Sequence, residues 1–88
     1  MKVRFDREAW QQYLHWQGSD AVTAAKLNAF IDECCRSPFK GLGRPEPLKN
    51  NLKGWWSRRL TQEDRLIYRV TGIAPDQTLE IIQCRYRY

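Results

Sequence analysis

The apolar positions of this chain change period along its length, and the changes divide it into elements. Lys2–Phe5 is short and β-favouring, and Asp6 behind it is a good N-cap for a helix. From Arg7 to Gln17, Trp10, Tyr13, Leu14 and Trp16 recur at helical spacing. Gly18 is expected to break that helix, with Ser19 or Asp20 capping the next. The second helix is expected to run to about Arg36, because Leu27, Phe30, Ile31 and Cys34 follow i, i+3, i+4, i+7. Ser37-Pro38 ends it, since proline disfavours helical geometry in the residue before it. Two helices with a short link read as a helical hairpin.

Phe39–Leu52 has neither period and contains Gly41, Gly43, Pro45 and Pro47; loops this long inside small domains are often functional. Three strand-like runs follow: Trp55–Leu60, Arg65–Val70 and Leu79–Tyr86. Their links, Thr61-Gln62-Glu63-Asp64 and a turn around Gly72 and Pro75-Asp76, suit hairpins. The order β-α-α-β-β-β predicts one α+β domain over residues 1–88, with two helices packed on one face of an antiparallel sheet.

Composition narrows the class. At 88 residues and 42% hydrophobic, the chain has enough apolar surface for one modest core. No apolar run approaches the roughly 20 residues of a membrane span, and Met1-Lys2-Val3-Arg4-Phe5-Asp6 lacks a signal-peptide apolar region, so a soluble cytoplasmic protein is expected. Three cysteines, two of them adjacent, give no disulfide framework. Residues 1–43 carry six basic groups against five acids, and residues 44–88 carry nine against five. The basic half also holds Trp55, Trp56, Tyr68, Tyr86 and Tyr88, and cations interleaved with aromatics are how proteins grip single-stranded RNA. On composition alone, a solvated charged surface over core aromatics is the simpler account.

No phosphate-cradling glycine loop is present. His15 with Cys34, Cys35 or Cys84 lacks metal-ligand spacing, so neither metal nor cofactor is expected. What remains is a carboxylate among cations. Glu46 lies between Pro45 and Pro47, which restrict its backbone; Lys49 follows, then Arg58, Arg59 and Arg65 on predicted strands. Such a carboxylate could accept a proton, and the cations could bind RNA and stabilise a crowded phosphate as charge builds on it. A general base and an arginine clamp suffice for metal-free RNA cleavage, because RNA supplies its own 2′-hydroxyl. An ordinary Glu46–Arg ion pair on a loop is the competing account.

The strings Ser37-Pro38-Phe39-Lys40-Gly41-Leu42-Gly43, Arg44-Pro45-Glu46-Pro47-Leu48-Lys49 and Gly54-Trp55-Trp56-Ser57-Arg58-Arg59 change that balance. With Arg65-Leu66-Ile67-Tyr68 and Cys84-Arg85-Tyr86-Arg87-Tyr88, the chain closely resembles the YoeB (Txe) toxins of the RelE superfamily along its whole length. The resemblance implies the RelE fold and a ribosome-dependent mRNA endoribonuclease. Such a toxin enters the ribosomal A site, meets mRNA and rRNA there, and is held inactive by a YefM-type antitoxin. A homodimer and a 2:1 toxin–antitoxin complex are implied as well. Residue by residue, it implies Glu46 as general base, Arg65 as stabiliser of the transition-state phosphate, Lys49 and Arg59 as RNA-backbone contacts, and Tyr88 as a substrate-positioning group.

One position departs from the family pattern. These toxins end in a His-Tyr pair whose histidine is the general acid, and here that position is Arg87. Arginine can bind a phosphate but does not readily deliver a proton near neutral pH. Arg87 is therefore counted with the catalytic candidates as a residue of reduced competence. A natural variant with weakened chemistry and a deliberately attenuated toxin both fit. A catalytically silent module that binds ribosome, RNA or antitoxin is the alternative function.

Overall fold

The computed structural model describes residues 1–87. The chain forms β1 (Lys2–Phe5), α1 (Arg7–Ser19), α2 (Ala21–Arg36), β2 (Glu46–Pro47), a 3₁₀ turn (Asn50–Leu52), β3 (Trp56–Arg59), β4 (Arg65–Thr71) and β5 (Thr78–Gln83). Asp6 caps α1 through its carboxylate, which accepts from the Arg7 amide. The helix runs through Gly18 rather than ending there, because Asp20 supplies the boundary assigned to glycine. In an extended conformation, Asp20 donates its own amide to the Trp16 carbonyl at 3.0 Å, closing α1. Its carboxylate opens α2 by accepting from the Thr23 amide at 3.0 Å and hydroxyl at 2.8 Å, which holds the Asp20 carboxyl below its ordinary range.

The sheet has five strands in the order β1-β5-β4-β3-β2. It is mixed and not purely antiparallel, since β1 runs parallel to β5 while the other neighbours are antiparallel. The hairpin links dictate antiparallel pairing for β3, β4 and β5 alone; alternation within Lys2–Phe5 says nothing of its direction. The helical hairpin carries the chain across one face, so β1 joins the far edge beside the last strand. The two-residue β2 lies at the other edge, where Pro47 is tolerated, and is too short to show a period in sequence.

Leu27, Phe30 and Cys34 of α2 pack against Leu66, Tyr68, Leu79 and Ile81 of the sheet, as the helical stripe required. On α1 the buried residues are Ala9 and Trp16, whereas Trp10 and Leu14 are 43% and 44% exposed. Trp10 instead stacks on Tyr13 beside Phe5, making an aromatic cluster at the β1–α1 corner. Trp16 donates its indole N–H to the Cys84 carbonyl at 2.8 Å, and the Cys84 amide donates to Gln12 Oε1, so α1 grips the chain just beyond β5. Burial pushes the Cys34 and Cys84 thiols up to about 11 and about 12, which makes them small core hydrophobes.

Candidate functional site

Side chains alternate across β3, and the alternation sorts the candidates. Arg58 points towards α2, so Ser57 and Arg59 point to the opposite face, which is covered at Ser57 and open at Arg59. Glu46 pairs with Ser57, and Arg59 with Arg65, and cross-strand partners share a face. The register thus brings Glu46, Arg59 and Arg65 onto the side of the sheet away from the helices.

Glu46 reaches that face at the end of a shaped loop. Gly43 precedes it at φ +77°, with a would-be Cβ only 2.6 Å from the Phe30 ring, so both backbone and space demand glycine. The Gly43 carbonyl accepts the Arg59 amide at 2.6 Å. Beyond β2, the Leu48 amide donates to the Trp55 carbonyl and the Leu52 amide to the Lys49 carbonyl, at 2.9 and 3.1 Å. This closed excursion leaves Lys49 exposed on a cleft of about 400 Å³ that Glu46, Pro47, Leu48, Asn50 and Leu52 also line.

Arg65 is half-buried and held from below. One of its terminal nitrogens donates to the carbonyls of Thr61, Gln62 and Asp64 at 3.0, 3.3 and 3.0 Å. Arg87 donates to the same Gln62 carbonyl at 3.2 Å, and its Nε lies 3.8 Å from Glu63. Two guanidinium groups therefore share one acceptor, which fixes them as neighbours despite their mutual repulsion.

Residues that sequence reasoning passed over place that pair. Asp64 is buried; its Oδ1 accepts the Tyr86 amide at 2.6 Å and its Oδ2 the Thr61 hydroxyl at 2.6 Å. The Tyr86 carbonyl accepts from the Arg65 amide and from the Gln83 side-chain amide, both at 3.0 Å. Gln83 also donates to the Arg87 carbonyl at 3.1 Å. The Thr61-Gln62-Glu63-Asp64 link is thus a dock for the last residues as well as a hairpin turn. Its Thr-x-x-Asp composition, typical of side-chain-closed turns, was the available signal. Tyr88 lies outside the described residues.

Arg58 does not join the open face, and its assignment to RNA contact is corrected. It is 0% exposed. Nε donates to the Tyr68 hydroxyl at 3.1 Å; Nη1 donates to Glu33 Oε1 and to the Leu42 carbonyl at 3.0 Å; Nη2 donates to the Ser37 and Lys40 carbonyls at 2.7 and 2.9 Å. Every N–H of the guanidinium is engaged. The Arg58 bond, then the Leu42 amide at 2.8 Å, hold the Glu33 carboxyl below its ordinary range. Burial pushes the Tyr68 hydroxyl up to about 12.

The side of the sheet away from the helices therefore carries one edge-strand carboxylate, Glu46, with Lys49 on the same cleft, Arg59 and Arg65 on the same side and Arg87 beside Arg65. The arrangement suits an anionic ligand that can lose a proton. A family model described as the YoeB-like toxin of bacterial type II toxin–antitoxin systems matches residues 5–88. Toxin YoeB of Escherichia coli (strain K12) is 49% identical over 88 residues, 100% of both chains. The structure of a YoeB/ParE toxin from Agrobacterium tumefaciens, 48% identical, superposes with a TM-score of 0.97 over 100% of both chains. YoeB of Staphylococcus aureus, solved as a dimer and in complex with YefM, is 34% and 32% identical, with a TM-score of 0.88 in each case over 100% of this chain and 98% of that one. Matched in fold and sequence from end to end, the chain belongs to the YoeB-like toxins of bacterial type II toxin–antitoxin systems.

Proposed function

We propose that this toxin is a ribosome-dependent endoribonuclease that cuts mRNA in the A site by metal-free transesterification. Glu46 takes the proton of a 2′-hydroxyl, the freed oxygen attacks the adjacent phosphorus, and the bond to the 5′-oxygen breaks. The products are a 2′,3′-cyclic phosphate and a 5′-hydroxyl. Arg65 stabilises the charge that builds on the phosphoryl oxygens, Lys49 and Arg59 hold the backbone, and Tyr88 positions the substrate. Arg87 adds positive charge beside the leaving group but no readily transferable proton, so the 5′-oxygen leaves with help from water or the ribosome.

The observation that carries this reading is the sharing of the Gln62 carbonyl by Arg87 and Arg65, the latter set by its strand register on the Glu46 side of the sheet. Two guanidinium groups held side by side on one carbonyl, with the exposed Glu63 at 3.8 Å from Arg87 alone, suit a doubly contacted phosphate. A silent binding module is favoured by Arg87 alone, and Glu46 opposes it, because a carboxylate in a phosphate-seeking groove weakens binding.

The antitoxin is a YefM-like protein whose disordered segment folds on contact with the toxin. The Staphylococcus aureus relative, solved both with YefM and as a dimer, supports that partner and a homodimer, while its heterotetrameric complex with YefM favours a four-chain assembly over a 2:1 one. The deciding experiment translates a defined mRNA on purified ribosomes and maps new 5′ ends. Cuts within the A-site codon are expected; inhibition of translation with intact mRNA would select the silent module.

A further inference from the structure

The buried arginine of β3 has a consequence for the carboxylate on the other side of the sheet. Between the end of α2 and β2, residues 37–45 form no ladder of their own, yet the carbonyls of Ser37, Lys40 and Leu42 converge on Arg58. The Pro38 carbonyl accepts from the Tyr68 hydroxyl at 2.5 Å, and Phe39 packs on Trp56 with ring centroids 4.7 Å apart. Inward-facing carbonyls need partners, so this loop has its fold only while the guanidinium stands at its centre. Glu46 follows at the loop's end, paired with Ser57 of β3 between the Gly43–Arg59 and Leu48–Trp55 backbone bonds.

We infer that Arg58, with Tyr68 and Glu33 fixing it, is a positioning residue for Glu46: it clamps the loop that delivers the carboxylate to the strand that carries Arg59. β3 performs both tasks because its alternation sends Arg58 to the helix side and Arg59 to the open side, while the Arg59 amide ties back to Gly43. Lysine cannot replace it, since three donors on a point charge do not serve five acceptors arranged about a planar fork. Displacements near 1 Å cost about 10²-fold when they separate a base from its proton.

The inference rests on the endoribonuclease reading, and the test keeps the two apart. Tyr68→Phe removes one bond to Arg58 and one to Pro38 while keeping the ring in the core, and Arg58→Lys is the harsher variant. Single-turnover cleavage at saturating ribosome is measured for each, alone and combined with Glu46→Gln, with folded fraction checked by near-ultraviolet circular dichroism. Tyr68→Phe should lower the rate about tenfold or more with ribosome affinity within about twofold, and that loss should shrink towards nothing in the Glu46→Gln background. A loss of equal size in both backgrounds, or a folded variant that cuts as fast as the parent, overturns the inference. Should the parent cut no mRNA, the endoribonuclease reading fails, and amide exchange then judges the clamp. Tyr68→Phe should speed exchange of the Leu42 and Arg59 amides about tenfold or more, and unchanged exchange in a folded variant refutes it.

Discussion

Replacing Arg87 by histidine should convert a slow nuclease into a fast one. A general acid contributes typically 10²–10⁴-fold, about 3–5.5 kcal/mol of barrier. The backbone at this position is held by Asp64, the Arg65 amide and Gln83, not by the Arg87 side chain, so a histidine would be presented at the same place. Removing the guanidinium breaks an exposed bond to Gln62 and a 3.8 Å pair with Glu63 whose partners are 60% and 76% exposed, together a few tenths of a kcal/mol. Histidine with an ordinary pKa near 6.5 is about one-quarter protonated at neutral pH, and its weaker average charge offsets part of the gain. The net expectation for Arg87→His is on the order of 10²-fold in single-turnover cleavage on saturating ribosomes, with affinity for ribosome and antitoxin little changed. The pH profile supplies a second signature. The histidine variant should lose rate as pH rises through about 6.5, a limb that Arg87 lacks. Equal rates for both residues, with superimposable profiles, would mean that position 87 only binds phosphate and that the proton comes from elsewhere.

Glu46→Gln keeps the size of the side chain and removes its basicity, so cleavage in the Arg87→His background should fall about 10²-fold or more while ribosome binding persists; undiminished cutting would exclude Glu46 as base. Ribosome association should weaken with salt, each phosphate contact by Lys49, Arg59 or Arg65 adding roughly 0.7–0.9 to the log–log slope, and neutralising each in turn should remove its share. Asp64→Ala strands the Tyr86 amide and the Thr61 hydroxyl, and should lower stability by about 1–3 kcal/mol in urea titrations; an unchanged midpoint would show that the tail is held otherwise. Alkaline pH should destabilise the fold. Cys34, raised to about 11, and Cys84 and Tyr68, raised to about 12, keep protons that the unfolded chain releases from ordinary values of 9.0 and 10.0. Their contribution is complete below about pH 9 and is lost as pH rises towards about 12, so the urea midpoint should drop between about pH 8 and about pH 10; a flat response would show that these groups titrate as exposed ones do.

The parts of the fold that apolar periodicity determines were legible in the sequence, and the parts set by polar convergence were not. The stripe Leu27, Phe30, Cys34 and the hairpins of β3, β4 and β5 follow from burial and turn chemistry, both local properties. Asp20, one of the two caps expected for the second helix, bonds locally to Trp16 and Thr23, whereas the parallel pairing of β1 and the docking of Tyr86 on Asp64 each depend on a partner that no local pattern names. Arg58 is the instructive case, because the sequence did contain its location. Trp56 and Leu60 stand at i−2 and i+2 on the same strand side, and both pack on the core, so period-2 alternation alone put Arg58 among apolar neighbours. Reading it as an RNA contact weighed charge above position. Burying a guanidinium is costly unless every donor finds an acceptor, and the glycine-rich, unladdered stretch at 37–45 is where spare backbone carbonyls are plentiful. An arginine flanked by apolar residues at i±2, near a loop with no ladder of its own, is therefore better read as the core of that loop than as part of a binding surface. By the same reasoning Arg59 and Arg65, opposite each other and outside the apolar series, are the cations left on the side of the sheet away from the helices, where the proposed RNA would bind.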